Sequence, residues 1–245
     1  MKNSRIYNKW IFIIISSILY YHIGYVVVRS NFGLILLDFT LLFIFYFYSL
    51  KNIDFNWLIV IAVRLVFLFS IPNLSDDFYR FIWDGSLTAS GQNPFKLLPS
   101  ELPQNHIYQH LNSKYYYSVY PPLLQVIFAL GAFLGENNIL VNVIVLRLII
   151  IAAELVSIYL ITKLLKYFNR PANQVLLYAL NPLVITELSG NLHFEAVMLC
   201  FLLLSVWFLL NNTKSKYYLI LSAFFLACSV LIKLLPLYAG KTLMP

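Results

Sequence analysis

The sequence predicts an all-α membrane protein, a polytopic bundle of transmembrane helices that forms one domain over residues 1–245. Three observations predict this class: 61% of the residues are hydrophobic, only 11% are charged, and the apolar residues collect in long runs. Such a composition lies well outside the range of soluble domains. The formal net charge of +7 does not indicate a nucleic-acid partner. The basic residues stand mostly at the ends of apolar runs, as expected for contact with the cytoplasm and with anionic membrane lipid.

Eight apolar segments follow one another without an internal repeat or a low-complexity linker. We place them at about 10–28, 32–50, 57–72, 121–134, 139–162, 173–188, 194–210 and 217–235. The first follows a basic stretch but has no small-residue cleavage site, so we interpret it as a retained signal anchor. The segment 121–134 is shorter than the roughly 20 residues needed to span a bilayer and begins with two prolines. We therefore predict a re-entrant or surface helix there.

Basic residues determine the predicted topology. Lys2, Arg5 and Lys9 place the N-terminus in the cytoplasm, and Lys51 places the second connection there too. Seven crossings result, and the long polar connection 73–120 lies on the outer side of the membrane. A connection of this length in a compact membrane protein is usually functional.

The polar connection begins with a concentration of charge in the stretch Ser75–Gly85. When this stretch is drawn as a helix with about 100° per residue, the charged side chains share one wedge and the apolar ones lie opposite. The wedge contains Asp76, Asp77, Arg80 and Asp84. This pattern predicts a short helix on the membrane surface with an acidic face toward water.

Two adjacent carboxylates suit the removal of a proton from a substrate. Repulsion and partial burial raise the pKa of one carboxyl group, while a nearby cation keeps the other ionised. Arg80, one helical turn from Asp76, is the expected cation. The competing interpretation is a surface helix whose charges only face water, with an i,i+4 ion pair that contributes little.

Further polar residues reach the same outer face in the predicted topology, which indicates a site more strongly than any one of them. They are Tyr120, Arg147, Glu187, Asn191, His193, Glu195 and Lys233. Ionisable groups within a membrane helix, such as Arg147 and Glu154, usually face a cavity or a partner. A structural role is the alternative for both, through pairing with each other, with Asp38 or with Glu187. For Arg64 and Asp38 we predict a structural intramembrane pair.

Metal binding is not predicted. His106 and His110 have the i,i+4 spacing of a metal site on a helix. A solvated loop is the favoured interpretation, because no further set of ligands accompanies them.

Several motifs resemble those of GT-C glycosyltransferases. Ser75–Gly85, then Gly91-Gln92-Asn93-Pro94-Phe95 and Tyr120-Pro121-Pro122-Leu123, resemble the first extracytoplasmic loop of these enzymes. Asn181-Pro182-Leu183 and the turn at Gly190–Glu195 are similar to a later segment. Within the superfamily, the chain looks like bacterial mannosyltransferase-like proteins that use a polyprenyl-phosphate sugar, and the matches extend from about residue 65 to 235.

The resemblance implies an inverting transfer of a hexose, with mannose favoured, from a polyprenyl-phosphate donor to a lipid-linked or cell-envelope acceptor. The reaction would occur at the outer face of a bacterial cytoplasmic membrane, with Asp76 or Asp77 as the base. The departing phosphate needs a cation, for which Arg147, Lys233, His193 and Arg80 are candidates. The expected substrate-binding residues are Arg80, Asp84, Tyr120, Arg147, Glu187, His193, Glu195 and Lys233. No cofactor is expected besides this lipid-linked substrate, and dependence on a divalent metal stays open.

Two other functions compete with this interpretation. A transporter or flippase would use the intramembrane residues Asp38, Arg64, Arg147 and Glu154 as its pathway, but the sequence has no repeat symmetry to support it. The second competing function is that of a catalytically inactive assembly partner. Proteins of the resembled kind usually continue well past residue 245, so we expect a fragment, a truncated product or a natural short form.

Overall fold

The computed structural model describes residues 2–211 and 215–237, with side chains from residue 7 onward. These residues form helices and irregular connections, and no strand occurs in the described ranges. The α-helices are α1 (Lys2–Tyr21), α2 (Phe32–Asn52), α3 (Trp57–Leu65), α4 (Asp77–Ala89), α5 (Pro122–Gly135), α6 (Ile139–Tyr167), α7 (Leu176–Ala179), α8 (Pro182–Val184), α9 (Glu195–Asn211) and α10 (Lys216–Ile232). The predicted all-α class is confirmed.

Among the described residues, three helices are long and apolar enough to cross a membrane, namely Tyr7–Val26, Phe32–Asn52 and Ile139–Tyr167. The first combines most of α1 with a π-helical turn. A fourth crossing is obtained when Pro182–Gly190 and Glu195–Asn211 count as one broken span. The protein is therefore a polytopic membrane protein. Helix length supports fewer crossings than the seven predicted from charge and hydropathy.

A membrane crossing is predicted over residues 173–188, but these residues do not form one continuous helix. The chain is helical over Leu176–Ala179, stops, and starts again at Pro182. Proline lacks an N–H and clashes with the preceding helical turn, so the first helix cannot continue through it. The side chain of Asn181 accepts a hydrogen bond from the backbone N–H of Leu183 at 3.0 Å, which caps the new helix. An apolar run alone does not reveal such a break.

The chain divides into two compact units. One comprises Met1–Leu74 with Ile158–His193, and the other comprises Ser75–Ser157 with Phe194–Pro245. Helix α6 contributes residues to both. The single domain expected over residues 1–245 stays a prediction, and the units are described separately below.

In the first unit, two ionisable side chains take partners other than those expected. Arg64 is fully buried, and its Nη1 donates to the carbonyl oxygens of Val60 and Ala179, each at 3.0 Å. Asp38 Oδ2 lies 2.7 Å from His22 Nδ1, so the predicted Arg64–Asp38 pair is wrong. The reason lies in the helix break, because Leu183 donates to Asn181 and not to the Ala179 carbonyl. Arg64 satisfies this carbonyl in its place.

In the second unit, α4 and α5 pack at very close range. A Cβ atom at Gly85 of α4 would overlap the backbone carbonyl of Phe128 in α5. The Phe81 and Phe128 rings stack with centroids 4.6 Å apart, and Phe194 meets Phe128 edge-on at 5.3 Å. Helix α5 occupies the segment for which a short helix is predicted, and its re-entrant or surface position in the membrane stays a prediction.

Replacement of Gly85 by alanine tests this close approach. We expect Gly85→Ala to lower the free energy of unfolding by about 1–3 kcal/mol, because the added methyl group forces α4 and α5 apart. Unfolding of the detergent-solubilised protein by SDS, followed by circular dichroism, measures the change. Gly33→Ala is the matched control, since a Cβ there meets only Asn31 Oδ1 at 3.8 Å. Equal stability of Gly85→Ala and the wild type would contradict the packing.

Candidate active site

The acidic pair stands at the N-terminus of α4. Asp76 occupies the N-cap position, Asp77 is the first helical residue, and both side chains are partly exposed. The Asp77 backbone N–H donates to Ser75 Oγ at 3.3 Å. Negative charge is favourable here because the unpaired N–H groups of the first turn carry partial positive charge. The structure thus leaves the two carboxylates accessible on a well-defined helix.

Arg80 and Asp84 do not face water, which corrects the prediction of one acidic surface wedge. Their side chains are 3% and 0% exposed, and Arg80 Nε donates to Asp84 Oδ1 at 2.7 Å. Arg80 Nη1 donates to the carbonyl oxygens of Ser113 and Tyr116 at 2.8 and 3.0 Å. The loop that contains these residues covers this side of α4, and helical periodicity cannot anticipate such a cover. The Arg80 ion pair is therefore with Asp84 and not with Asp76.

The same buried network continues into α5. Gln125 Nε2 donates to Asp84 Oδ2 at 3.3 Å and to Ser118 Oγ at 2.6 Å. Helix α4, the loop before the double proline and α5 are thereby joined through polar groups in the interior. A buried ion pair is tolerated only when such additional bonds satisfy its charged atoms.

The charge of Asp77 acts on Tyr120, which adjoins this network. Asp77 Oδ1 accepts a hydrogen bond from Asn112 Nδ2 at 3.2 Å. Burial raises the pKa of the Tyr120 hydroxyl well above its usual range, and the charges of Asp77 and Asp84 raise it further, against a lowering by Arg80. Tyr120 therefore keeps its proton and is a hydrogen-bond donor beside carboxylates.

Asp76 is associated with a second tyrosine. The pKa of Tyr79 is raised by burial and then by the charge of Asp76. The Tyr79 ring stacks on His110 with centroids 4.7 Å apart. His110 belongs to a short 3-10 helix, Tyr108–His110, that does not include His106. The described residues contain no group of three or more His, Cys, Asp or Glu side chains that could hold a metal ion.

The remaining predicted site residues form separate pairs or lie in the interior. Lys233 Nζ donates to Glu195 Oε1, which joins the end of α10 to the start of α9. Arg147 in α6 is fully buried. Both of these features belong to the second unit, whereas Glu187 and His193 belong to the first, with Glu187 Oε2 and His193 Nδ1 3.2 Å apart. The roles of all these residues in substrate binding stay predictions.

Sequence reasoning missed three polar residues: Asn112, which contacts Asp77 of the acidic pair, and Ser113 and Gln125, which contact the buried ion pair of Arg80 and Asp84. The first two lie in an irregular loop where no periodicity marks a contact. Gln125 did carry a signal, because it is the one amide side chain in the apolar segment 121–134. A buried polar residue in such a segment usually has a specific hydrogen-bonding partner.

The fold and the site define a class of protein. It is a helical membrane protein in which two adjacent carboxylates stand at the start of a helix that is fixed by a buried ion pair. This arrangement is expected for a membrane glycosyltransferase. Residues 8–244 match the family described as "Alpha-(1->6)-mannopyranosyltransferase, N-terminal domain". The chain belongs to this family. Membership confirms the predicted resemblance to mannosyltransferases and gives no support to a transporter or flippase.

A curated relative agrees with the family. The chain is 26% identical over 181 residues to Alpha-(1->6)-mannopyranosyltransferase B of Corynebacterium glutamicum, in a match that covers 68% of this chain and 30% of the relative. The match thus spans less than a third of the relative's length. No solved structure matches the chain.

The buried ion pair predicts a large effect of a small substitution. We expect Asp84→Asn to destabilise the protein by about 3–5 kcal/mol, because Arg80 would keep a buried charge without its partner. SDS titration of the purified protein measures the loss. Glu101→Gln is the control, because this carboxylate also lies in the polar connection 73–120 but is exposed. We expect the Glu101→Gln variant to be as stable as the wild type. An Asp84→Asn variant as stable as Glu101→Gln would refute the structural role.

Proposed function

We propose that this protein transfers a mannose residue from a polyprenyl-phosphate donor to a lipid-linked or cell-envelope glycan, at the outer face of a bacterial cytoplasmic membrane. Family membership supports mannosyl transfer. The observation that carries the chemistry is the accessible Asp76–Asp77 pair at the start of a helix anchored by a buried ion pair.

In the proposed reaction, one carboxylate of the pair accepts the proton of an acceptor hydroxyl. The hydroxyl oxygen forms a bond to the anomeric carbon of mannose while the bond from that carbon to the phosphate oxygen breaks. The phosphate leaves with the electron pair, and the configuration at the anomeric carbon inverts. The enzyme supplies a base that is ionised before the reaction and protonated after it.

Asp77 has the better defined geometry of the two candidates for the base. Its Oδ1 is held by Asn112, which leaves Oδ2 as the oxygen that can face an acceptor hydroxyl. We propose that Tyr120, which keeps its proton, donates a hydrogen bond to the same substrate. Asp76 stays a candidate, because it stands next to Asp77 at the accessible end of α4.

Cations are needed where the phosphate develops negative charge. Arg80 is committed to Asp84 and to loop carbonyl groups, so we propose a positioning role for it. Lys233 is the more suitable phosphate partner, because its side chain is 45% exposed while it contacts Glu195. Arg147, which belongs to the same compact unit as Lys233, completes the proposed set, and a role of His193 stays a prediction. We propose no cofactor besides the lipid-linked donor, and transfer in the presence and absence of EDTA decides the dependence on a divalent metal.

Replacement of each aspartate by asparagine tests the base. We reconstitute the protein in vesicles with a radiolabelled polyprenyl-phosphate mannose and a mannoside acceptor, and measure kcat. One of Asp76→Asn and Asp77→Asn should lower kcat by about 10²–10⁴-fold, the usual contribution of a general base. Each variant should unfold at the same SDS concentration as the wild type.

If both variants transfer mannose at the wild-type rate, neither Asp76 nor Asp77 is the base. An inactive wild-type chain would favour an assembly partner.

Asn112→Ala determines which aspartate acts. If Asp77 is the base, loss of the Asn112 hydrogen bond should lower kcat by about threefold to tenfold. That bond orients the Asp77 carboxylate, so its loss leaves the base less well positioned toward the acceptor hydroxyl. If Asp76 is the base, the same replacement should leave kcat unchanged. A kcat equal to that of the wild type would therefore contradict the assignment to Asp77 and favour Asp76.

A further inference from the structure

A cavity of about 240 Å³ lies beside the C-terminal half of α4, away from the acidic pair. The helix contributes one wall, and the loop after it contributes the others. Its lining residues are Trp83, Ser86, Leu87, Ser90, Gln92, Leu102, Pro103 and Asn105. Pockets for drug-sized ligands measure about 300–1,000 Å³. This cavity therefore suits a smaller molecule, of the size of one monosaccharide unit.

The lining is neutral and combines polar with apolar side chains. Two serine hydroxyls and two amides stand among leucine, proline and tryptophan, and no residue of the lining carries a charge. Ser86 Oγ donates to the Ile82 carbonyl and Ser90 Oγ to the Leu87 carbonyl, so each hydroxyl oxygen can accept a further hydrogen bond. Asn105 Oδ1 accepts from the backbone N–H of Ile107, which leaves the amide NH₂ as a donor.

Trp83 supplies the aromatic part of the lining. Its side chain is 4% exposed, and its ring lies 6.0 Å from that of Tyr108 between centroids, so the indole is held in place by packing. The apolar side chains of the lining can contact the C–H groups of a sugar ring, while the serine hydroxyls and the amides bind its hydroxyl groups.

We propose that this cavity binds one neutral hexose of the acceptor glycan. This inference rests on the proposed function, since it assigns the acceptor a second point of attachment. A phosphate is disfavoured as the occupant because the lining has no cation. Ser86 follows Asp77 by nine positions, which corresponds to about 13.5 Å along an α-helix. The sugar in the cavity is therefore a remote unit of the acceptor and not the one whose hydroxyl reacts.

Such a remote subsite increases the rate by holding the reacting hydroxyl in position. Binding energy from the remote sugar can be used to orient the acceptor at the base. An acceptor long enough to reach both the acidic pair and the cavity should react faster than a single mannoside. Because α4 is one continuous helix, the two points of attachment keep a fixed separation.

Direct binding of a neutral oligosaccharide tests the proposal. Isothermal titration calorimetry of the detergent-solubilised full chain measures the affinity for α-1,6-linked mannotriose in the absence of donor. Ser86→Leu places a bulky side chain in the cavity and should weaken binding by at least tenfold, and Gln92→Ala should weaken it about threefold to tenfold. Ala89→Leu adds the same bulk to an exposed position of α4 outside the cavity, and should bind as the wild type does.

Three results would overturn the subsite. They are no binding of mannotriose by the wild type, equal binding by Ser86→Leu and Ala89→Leu, or stronger binding of inorganic phosphate than of mannotriose. Gln92→Ala keeps the test informative if Ser86→Leu fails to fold, because the Gln92 side chain is exposed. The measurement uses no donor, so failure of transfer with intact binding would refute the proposed function and leave the subsite standing.

Discussion

The buried ion pair of Arg80 and Asp84 is the interaction on which the outer loop depends. Both residues lie in α4, so the pair forms within one helix, but its burial requires other parts of the chain. Loop carbonyl groups accept from the guanidinium, and Gln125 of α5 donates to the carboxylate. Removal of two charges from water costs several kcal/mol per ion, and the attraction within the pair offsets this cost only together with such additional bonds. The loop is consequently held on α4, and the acidic pair at the helix start has a fixed support.

A similar use of charge occurs at the broken helices of the first unit. Arg64 donates to the Ala179 carbonyl, whose helical partner is lost where Asn181 and Pro182 interrupt the chain. Asp38 pairs with His22. Backbone groups in a membrane must find partners within the protein, since no water is present to satisfy them. These ionisable residues therefore serve the backbone and each other, which removes much of the reason to assign them to a transport pathway.

The second unit places two different chemistries on one helix. Two carboxylates, one of whose charges acts on a protonated tyrosine, stand at the start of α4, and a cavity with a neutral lining stands toward its end. The first suits proton transfer and the second suits a sugar. Because one continuous helix carries both, the two groups stand at a defined separation. The close packing of Gly85 on Phe128 explains why this part of the helix cannot shift easily against α5.

The sequence by itself determined the fold class and the family, and it predicted the place of the site. Hydrophobic runs indicate helices because apolar side chains must be buried in lipid or protein. The charged stretch from Ser75 to Gly85 indicates a functional site because charged residues are rare elsewhere in the chain.

Only the tertiary structure decided which charges are accessible. It buried Arg80 and Asp84, left Asp76 and Asp77 partly exposed, and paired Asp38 with His22. It also placed a break where the sequence predicted a continuous crossing. Helical periodicity describes one helix in isolation, whereas burial and ion pairing depend on loops and neighbouring helices that lie far away in the sequence.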